Sequence, residues 1–485
     1  MDTNQTSGDH AIRGLRWVAA ARVVTQVITW CMTIITVRYL HPEDYGVIAT
    51  AGLFTALAML LLDGGLGILL VTQRDLSTRA QGAVVTATLT SATILGLIIA
   101  LLAPVASWFF RSDALTAVLL VSAIYMPLAA LAVVPAALLT KTMRFREIAI
   151  SQTAASLVQG VTTLALAIYG VGYWALIVGN FAGTSLRVLM LWRALDIKVS
   201  PNTELGLVRP LLKSSGHMVG TRLTYFVAND FDTFLISRIG GVAMAGPYAL
   251  AKQLCHSALD QLSAIVNQVM VPVFASKTDR DSQVGGLLQV IGITATLMFP
   301  LFWMMGVVSR VLLPLVFGDR WAGLIVPFVA FSLILPVRSI YAFLDTAVMS
   351  TGRTGTTFKN MLVWAAIMMP LLLIGAMIDV RYLGLVWTLG FPLVFLVALR
   401  RIAGSLDVST FTLLRPILAP LTCAAISCLA MLGFSSVVEL PPWPMLAAEL
   451  AIGGALYWLL MWRFGRSHHD AIFSIVMRLL GRARG

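Results

Sequence analysis

Charged and polar residues interrupt the apolar runs of this chain at helical spacing, and chemistry would have to reside at those positions. In the first run, Arg22, Gln26, Thr29, Thr33 and Thr36 recur every three or four residues, on one face of a helix. A second stripe carries His217, Thr221, Tyr225, Asn229 and Asp232, with Arg222 and Asp230 beside it. A third carries Lys252, His256, Asp260, Ser263 and Asn267. Cations on such stripes suit an anionic ligand, such as a phosphate or a pyrophosphate. Arg22 and Arg222 stand 200 residues apart, and Arg338 adds a cation in a later run. Arg22, Arg222, Lys252 and Arg338 are therefore the candidate substrate contacts. Gln26, Thr29, Tyr225, Asn229, Asp260 and Asn267 are the candidate polar lining of a hydrated cavity. The competing reading makes the cations internal ion-pair partners: Arg22 with Asp63, Lys252 with Asp260, Arg338 with Asp345.

Asp63, Asp230, Asp232, His217 and His256 are the groups suited to coupling a proton or cation to movement. Each has a plainer reading. Asp63 precedes Gly64-Gly65 and fits a structural ion pair, Asp230 and Asp232 fit a solvated helix end, and the histidines fit satisfied polar packing. Arg187 is a weaker candidate for the same cavity contact, since it lies near a cytoplasmic helix end, within reach of snorkelling. The four cysteines form no C-x-x-C pair, and His468-His469 has no evident partners. No metal, cofactor or catalytic set is expected.

The elements that position these residues are membrane helices. The 485-residue chain is 59% hydrophobic and 12% charged, with a mean hydropathy of +0.88. Soluble domains are about 45–50% apolar and about 25% charged. A chain this apolar needs lipid as its solvent. The net charge of +12 is then explained by Lys and Arg gathering in cytoplasmic loops, not by nucleic acid. A span takes about 20 apolar residues, which gives about fourteen helices here, with both termini in the cytoplasm. An intramembrane charge costs about 2.5–3.5 kcal/mol on insertion scales, so the cations should face a cavity or a partner. No connection is long enough for a soluble domain, which argues against a polymerase, ligase or glycosyltransferase with a positioned acid/base set.

The chain also repeats itself. Arg38 and Gly46 recur as Arg238 and Gly246, and Met126-Pro127 with Arg144 recurs as Leu335-Pro336 with Arg353. The expected fold is all-α: two pseudo-symmetric lobes of six helices, 1–195 and 211–402, joined by a cytoplasmic linker at 196–210. An extra helix pair at 403–464 and a basic amphipathic tail at 465–485 follow. Both lobes start on the same side, so the repeats are parallel.

The run Thr36 to Val47, with His41-Pro42-Glu43-Asp44-Tyr45-Gly46, followed by Asp63-Gly64-Gly65-Leu66-Gly67, resembles bacterial polysaccharide flippases of the O-antigen and exopolysaccharide type. These belong to the multidrug/oligosaccharidyl-lipid/polysaccharide exporter superfamily. Asn229 to Arg238 and Gly246-Pro247-Tyr248 resemble the same family's seventh-helix region. The resemblance implies two lobes that alternate between inward- and outward-open states in the inner membrane. It also implies a cargo of oligosaccharide repeat units on a polyprenyl pyrophosphate, with a polymerase and a chain-length regulator as neighbours. Its nearest alternatives are a cation-coupled multidrug antiporter and a peptidoglycan-precursor flippase.

Overall fold

In the computed structural model, residues 25–62, 70, 77–195, 202, 209–275, 280–350 and 354–465 are described. Side chains are described for all of these except 209–219, 221–222, 260–275, 280–283, 349–350 and 354. Helices α1 (25–39), α2 (Pro42–Leu62), α3 (Thr78–Phe110), α4 (Ala114–Ala130), α5 (Val133–Lys141), α6 (Phe145–Ile168) and α7 (Trp174–Arg193) come first. There follow α8 (Arg209–Leu235), α9 (Val242–Ala275), α10 (Arg280–Phe317), α11 (Ile325–Ser350), α12 (Thr354–Asp379), α13 (Leu383–Leu406), α14 (Thr410–Val437) and α15 (Pro442–Phe464). Among the described residues, nine segments are long and apolar enough to cross a membrane.

Local chemistry sets the helix ends. Ser77 and Ser409 cap α3 and α14 by accepting from the backbone N–H of Ala80 and Thr412. Arg111 and Asp407 close α3 and α13 in the left-handed region, at φ of 55° and 49°. The apolar run at 115–139 lies within one candidate span, Ala114–Lys141, which a turn at Leu131–Ala132 divides into α4 and α5. Pro135 has no N–H to give the Leu131 carbonyl one turn back. The indole Nε1 of Trp192 takes that carbonyl instead, at 2.8 Å. In hydrocarbon a freed backbone group must find such a partner.

The chain forms two compact units, Met1–Gly246 and Pro247–Gly485. Helix α8 and the first turn of α9 therefore go with the N-terminal helices. In the first unit, α6 packs on α7, α3 on α4, and α2 on both α4 and α8. In the second, α10 is the central strut, packed by α11, α14 and α15, while α13 packs on α11 and α12. Tyr457 of α15 donates its hydroxyl to the Thr296 carbonyl of α10 at 2.8 Å, in a buried contact.

One contact of the first unit is reciprocal. A Cβ on Gly46 would collide with the Val242 carbonyl, and a Cβ on Gly246 would collide with the Pro42 carbonyl. The first turns of α2 and α9 therefore lie backbone against backbone, in the close approach that only glycine permits. Beside them the Thr50 and Ser237 hydroxyls meet at 3.0 Å, fully buried. Residues Ile236–Gly240 widen into a π-helical turn.

Candidate functional site

The most developed polar site among the described residues surrounds Arg338 in the second unit. Helix α11 carries this arginine into the interior, where it is 7% exposed. Its guanidinium carbon lies 4.9 Å from the Trp387 ring, 5.6 Å from Trp364 and 5.7 Å from Phe391. The rings hold one another edge to face, Trp364 against Trp387 at 6.2 Å and against Phe391 at 6.0 Å. Such faces attract a cation, and more strongly when it is desolvated. Nη1 of Arg338 lies 3.4 Å from Nε2 of His256 on α9, and Lys252 stands one turn earlier on that helix, half-buried. The amide of Asn360, one turn before Trp364, is 1% exposed. Asp345, seven residues further along α11, is half-buried, and its Oδ1 is enclosed without a hydrogen-bond donor.

Of the expected site residues, the structure brings Arg338 and His256 together, with Lys252 nearby. Arg22 and Asp63 lie outside the described residues. Arg222 and His217 fall in α8, and Asp260 and Asn267 in α9, but their side chains are outside the described set. On α1, Thr29 spends its hydroxyl on the Thr25 carbonyl at 2.8 Å, and Thr25 meets Thr153 of α6 at 2.9 Å. Gln26 and Asn229 are half-buried, and Tyr225 is exposed. Asp232 corrects the reading of a solvated helix end: it is fully buried, and its Oδ1 accepts from the Thr233 N–H at 2.6 Å. Asp230 beside it is half-buried.

The motif at 41–46 has a structural use. Asp44 accepts from the His41 N–H at 2.8 Å and from the Tyr173 N–H at 2.9 Å, tying the α1–α2 turn to the α6–α7 turn. Near the same end, Phe109 stacks on Phe234 at 5.7 Å, and the Arg238 guanidinium covers the Phe109 ring at 4.7 Å.

Two features escaped the reading of the sequence. Trp364, Trp387 and Phe391 read as lipid-facing or packing residues, since hydropathy does not say what a ring faces. The second is on α7, where Asn180, Thr184 and Arg187 follow the same spacing as the stripes already recognised. Thr184 meets the Tyr125 hydroxyl of α4 at 3.0 Å. Arg187 is half-buried, and its Nε is enclosed without a hydrogen-bond acceptor.

The second unit also holds an apolar recess of about 450 Å³, lined among others by Phe299, Trp303, Leu333, Pro392 and Leu414. Among the described residues, no group of three His, Cys, Asp or Glu is placed to hold a metal.

This architecture is shared with solved membrane proteins. The lipid II flippase MurJ, in an inward closed conformation, superposes with a TM-score of 0.75 at 13% identity, over 93% of this chain and 99% of that one. An inward-facing multidrug resistance MATE family transporter of the MOP superfamily follows with a TM-score of 0.55 at 16% identity, over 80% and 99%. The fold is thus that of a multi-pass, helical membrane protein. Residues 35–326 match the model of a family described as polysaccharide biosynthesis protein. The chain belongs to that family. It is 24% identical to the lipopolysaccharide biosynthesis protein WzxC of Escherichia coli (strain K12), over 84% of this chain and 82% of that protein. It is also 24% identical to the succinoglycan biosynthesis transport protein ExoT of Rhizobium meliloti (strain 1021), over 64% of this chain but only 63% of that protein's length.

Proposed function

We propose that this protein is a flippase, not an enzyme, and that it moves polyprenyl-pyrophosphate-linked oligosaccharide repeat units across the bacterial cytoplasmic membrane for surface polysaccharide synthesis. The observation that carries this reading is a buried arginine among membrane helices, in a chain whose family serves polysaccharide biosynthesis. A membrane helix tolerates such a charge only where function or a partner requires it. The lipid tail stays in hydrocarbon while the charged head crosses by alternating access, and intramembrane cations offset the cost of bringing an anion out of water.

Arg22, Arg222, Lys252 and Arg338 are the cations assigned to the head group. Arg338 is enclosed by its rings, so it meets cargo only when α12 and α13 part from α11. The lobes 1–195 and 211–402, with both termini in the cytoplasm, are the moving bodies of this reading, and a polymerase with a chain-length regulator would receive the product.

Depleting the protein in its host and following lipid-linked sugars tests the proposal. Repeat units should accumulate on the cytoplasmic leaflet, surface polymer should fall, and sensitivity to cationic drugs should not change. Normal polymer with raised drug sensitivity would replace the flippase with an antiporter.

A further inference from the structure

We propose that Arg187, with the hydroxyls of Tyr125 and Thr184, forms an oxyanion subsite in the N-terminal unit that takes a phosphate oxygen of the cargo's pyrophosphate. The inference rests on the flippase reading above and adds residues that it does not use.

Arg187 lies six residues before the end of α7 at Arg193, roughly 9 Å along the axis. An arginine near a helix end ordinarily extends to the interface. The Nε of this one is enclosed with no acceptor, one turn beyond Thr184, whose hydroxyl meets the Tyr125 phenol of α4. Among the described residues, no carboxylate pairs with it. A structural arginine at such a depth would be expected to hold an acid or a helix-end carbonyl.

Hydrogen counting points the same way. Tyr125 and Thr184 meet at 3.0 Å, and either can donate. Two hydroxyls joined by one bond have one hydrogen left to give. The guanidinium adds donors and contributes no acceptor. Asn180, one turn before Thr184 on the same face of α7, adds an amide. The Tyr125 ring is fixed edge to face on Phe181 at 5.2 Å, so its hydroxyl is held in place. A fixed positive charge beside spare N–H and O–H donors is matched by an oxyanion. The planar fork of arginine fits a phosphate in two-pronged fashion. A neutral sugar would make no use of the charge.

The full-length protein, purified in detergent, would be titrated with farnesyl pyrophosphate as the probe and farnesol as the uncharged control. Arg187→Gln should bind the pyrophosphate about tenfold more weakly than wild type, as loss of a charge-assisted hydrogen bond implies. Its farnesol affinity should be unchanged, Arg187→Lys should recover part of the loss, and Tyr125→Phe should show a smaller one. Unfolding temperatures matched to wild type establish that the variants are folded. Equal pyrophosphate affinity in wild type and Arg187→Gln would overturn the subsite and leave the flippase reading intact. Failure of the wild type itself to prefer farnesyl pyrophosphate over farnesol would overturn both. In nanodiscs, phosphatidylglycerol that displaces the probe from wild type as effectively as added pyrophosphate would assign the site to a bilayer lipid and overturn the proposal.

Discussion

A guanidinium ringed by indoles behaves differently from an ammonium in the same place. Arg338 presents a broad, weakly hydrated cation whose carbon lies within 5.7 Å of the Trp364, Trp387 and Phe391 ring centres while Nη1 reaches His256. Lysine is a compact, strongly hydrated point charge that covers less of this ring cluster. Arg338→Lys is therefore expected to lose about 2 kcal/mol of stability, the scale of a desolvated cation–π contact, and most of its transport. Surface polymer in a complemented deletion strain and the unfolding temperature in detergent measure the two effects. Retention of both by Arg338→Lys would reduce the cage to packing. Trp364→Phe, which keeps a ring face, should cost less than Trp364→Leu in the same assays. Asp44 works at the other end of the size scale. Asp44→Asn keeps the shape but leaves one acceptor oxygen where two are used, so the α1–α2 and α6–α7 turns should loosen, read as faster amide exchange at His41 or Tyr173.

Helices meet here through a few specific contacts, and these can be locked. The Thr50 and Ser237 hydroxyls are 3.0 Å apart, close enough for the cysteine pair Thr50→Cys/Ser237→Cys to join under mild oxidation. The joined protein should stop transporting and recover on reduction, whereas either single variant should transport throughout. Unimpaired transport by the crosslinked form would mean that α2 and α8 move as one piece. Much at this scale was legible in the residues. Runs of about 20 apolar residues between Gly and Pro marked most helices. The break between α4 and α5 was not legible, because hydropathy counts side chains and not the backbone bond that Pro135 cannot make. The cage was hidden for a related reason: its members lie on three helices, and a ring facing lipid has the same spelling as a ring facing Arg338. The α7 stripe was present in the spacing of Asn180, Thr184 and Arg187, and only the nearness of Arg187 to a helix end argued against it.

The molecule as a whole keeps its last two helices close. Tyr457 bonds to α10, and Glu449 of α15 is 2% exposed, so α14 and α15 are built into the second unit and not appended to it. Tyr457→Phe should lower stability by about 1 kcal/mol, read as a shift in detergent unfolding. A chain ending before Thr410 should fail to accumulate in the membrane, since α10 would be stripped along the face it gives to α14 and α15. The reciprocal turns at Gly46 and Gly246 meet as the halves of a symmetric interface do, Gly46 on Val242 and Gly246 on Pro42. A methyl group added on either side meets a carbonyl, so Gly46→Ala and Gly246→Ala should be similarly damaging to protein level in the membrane.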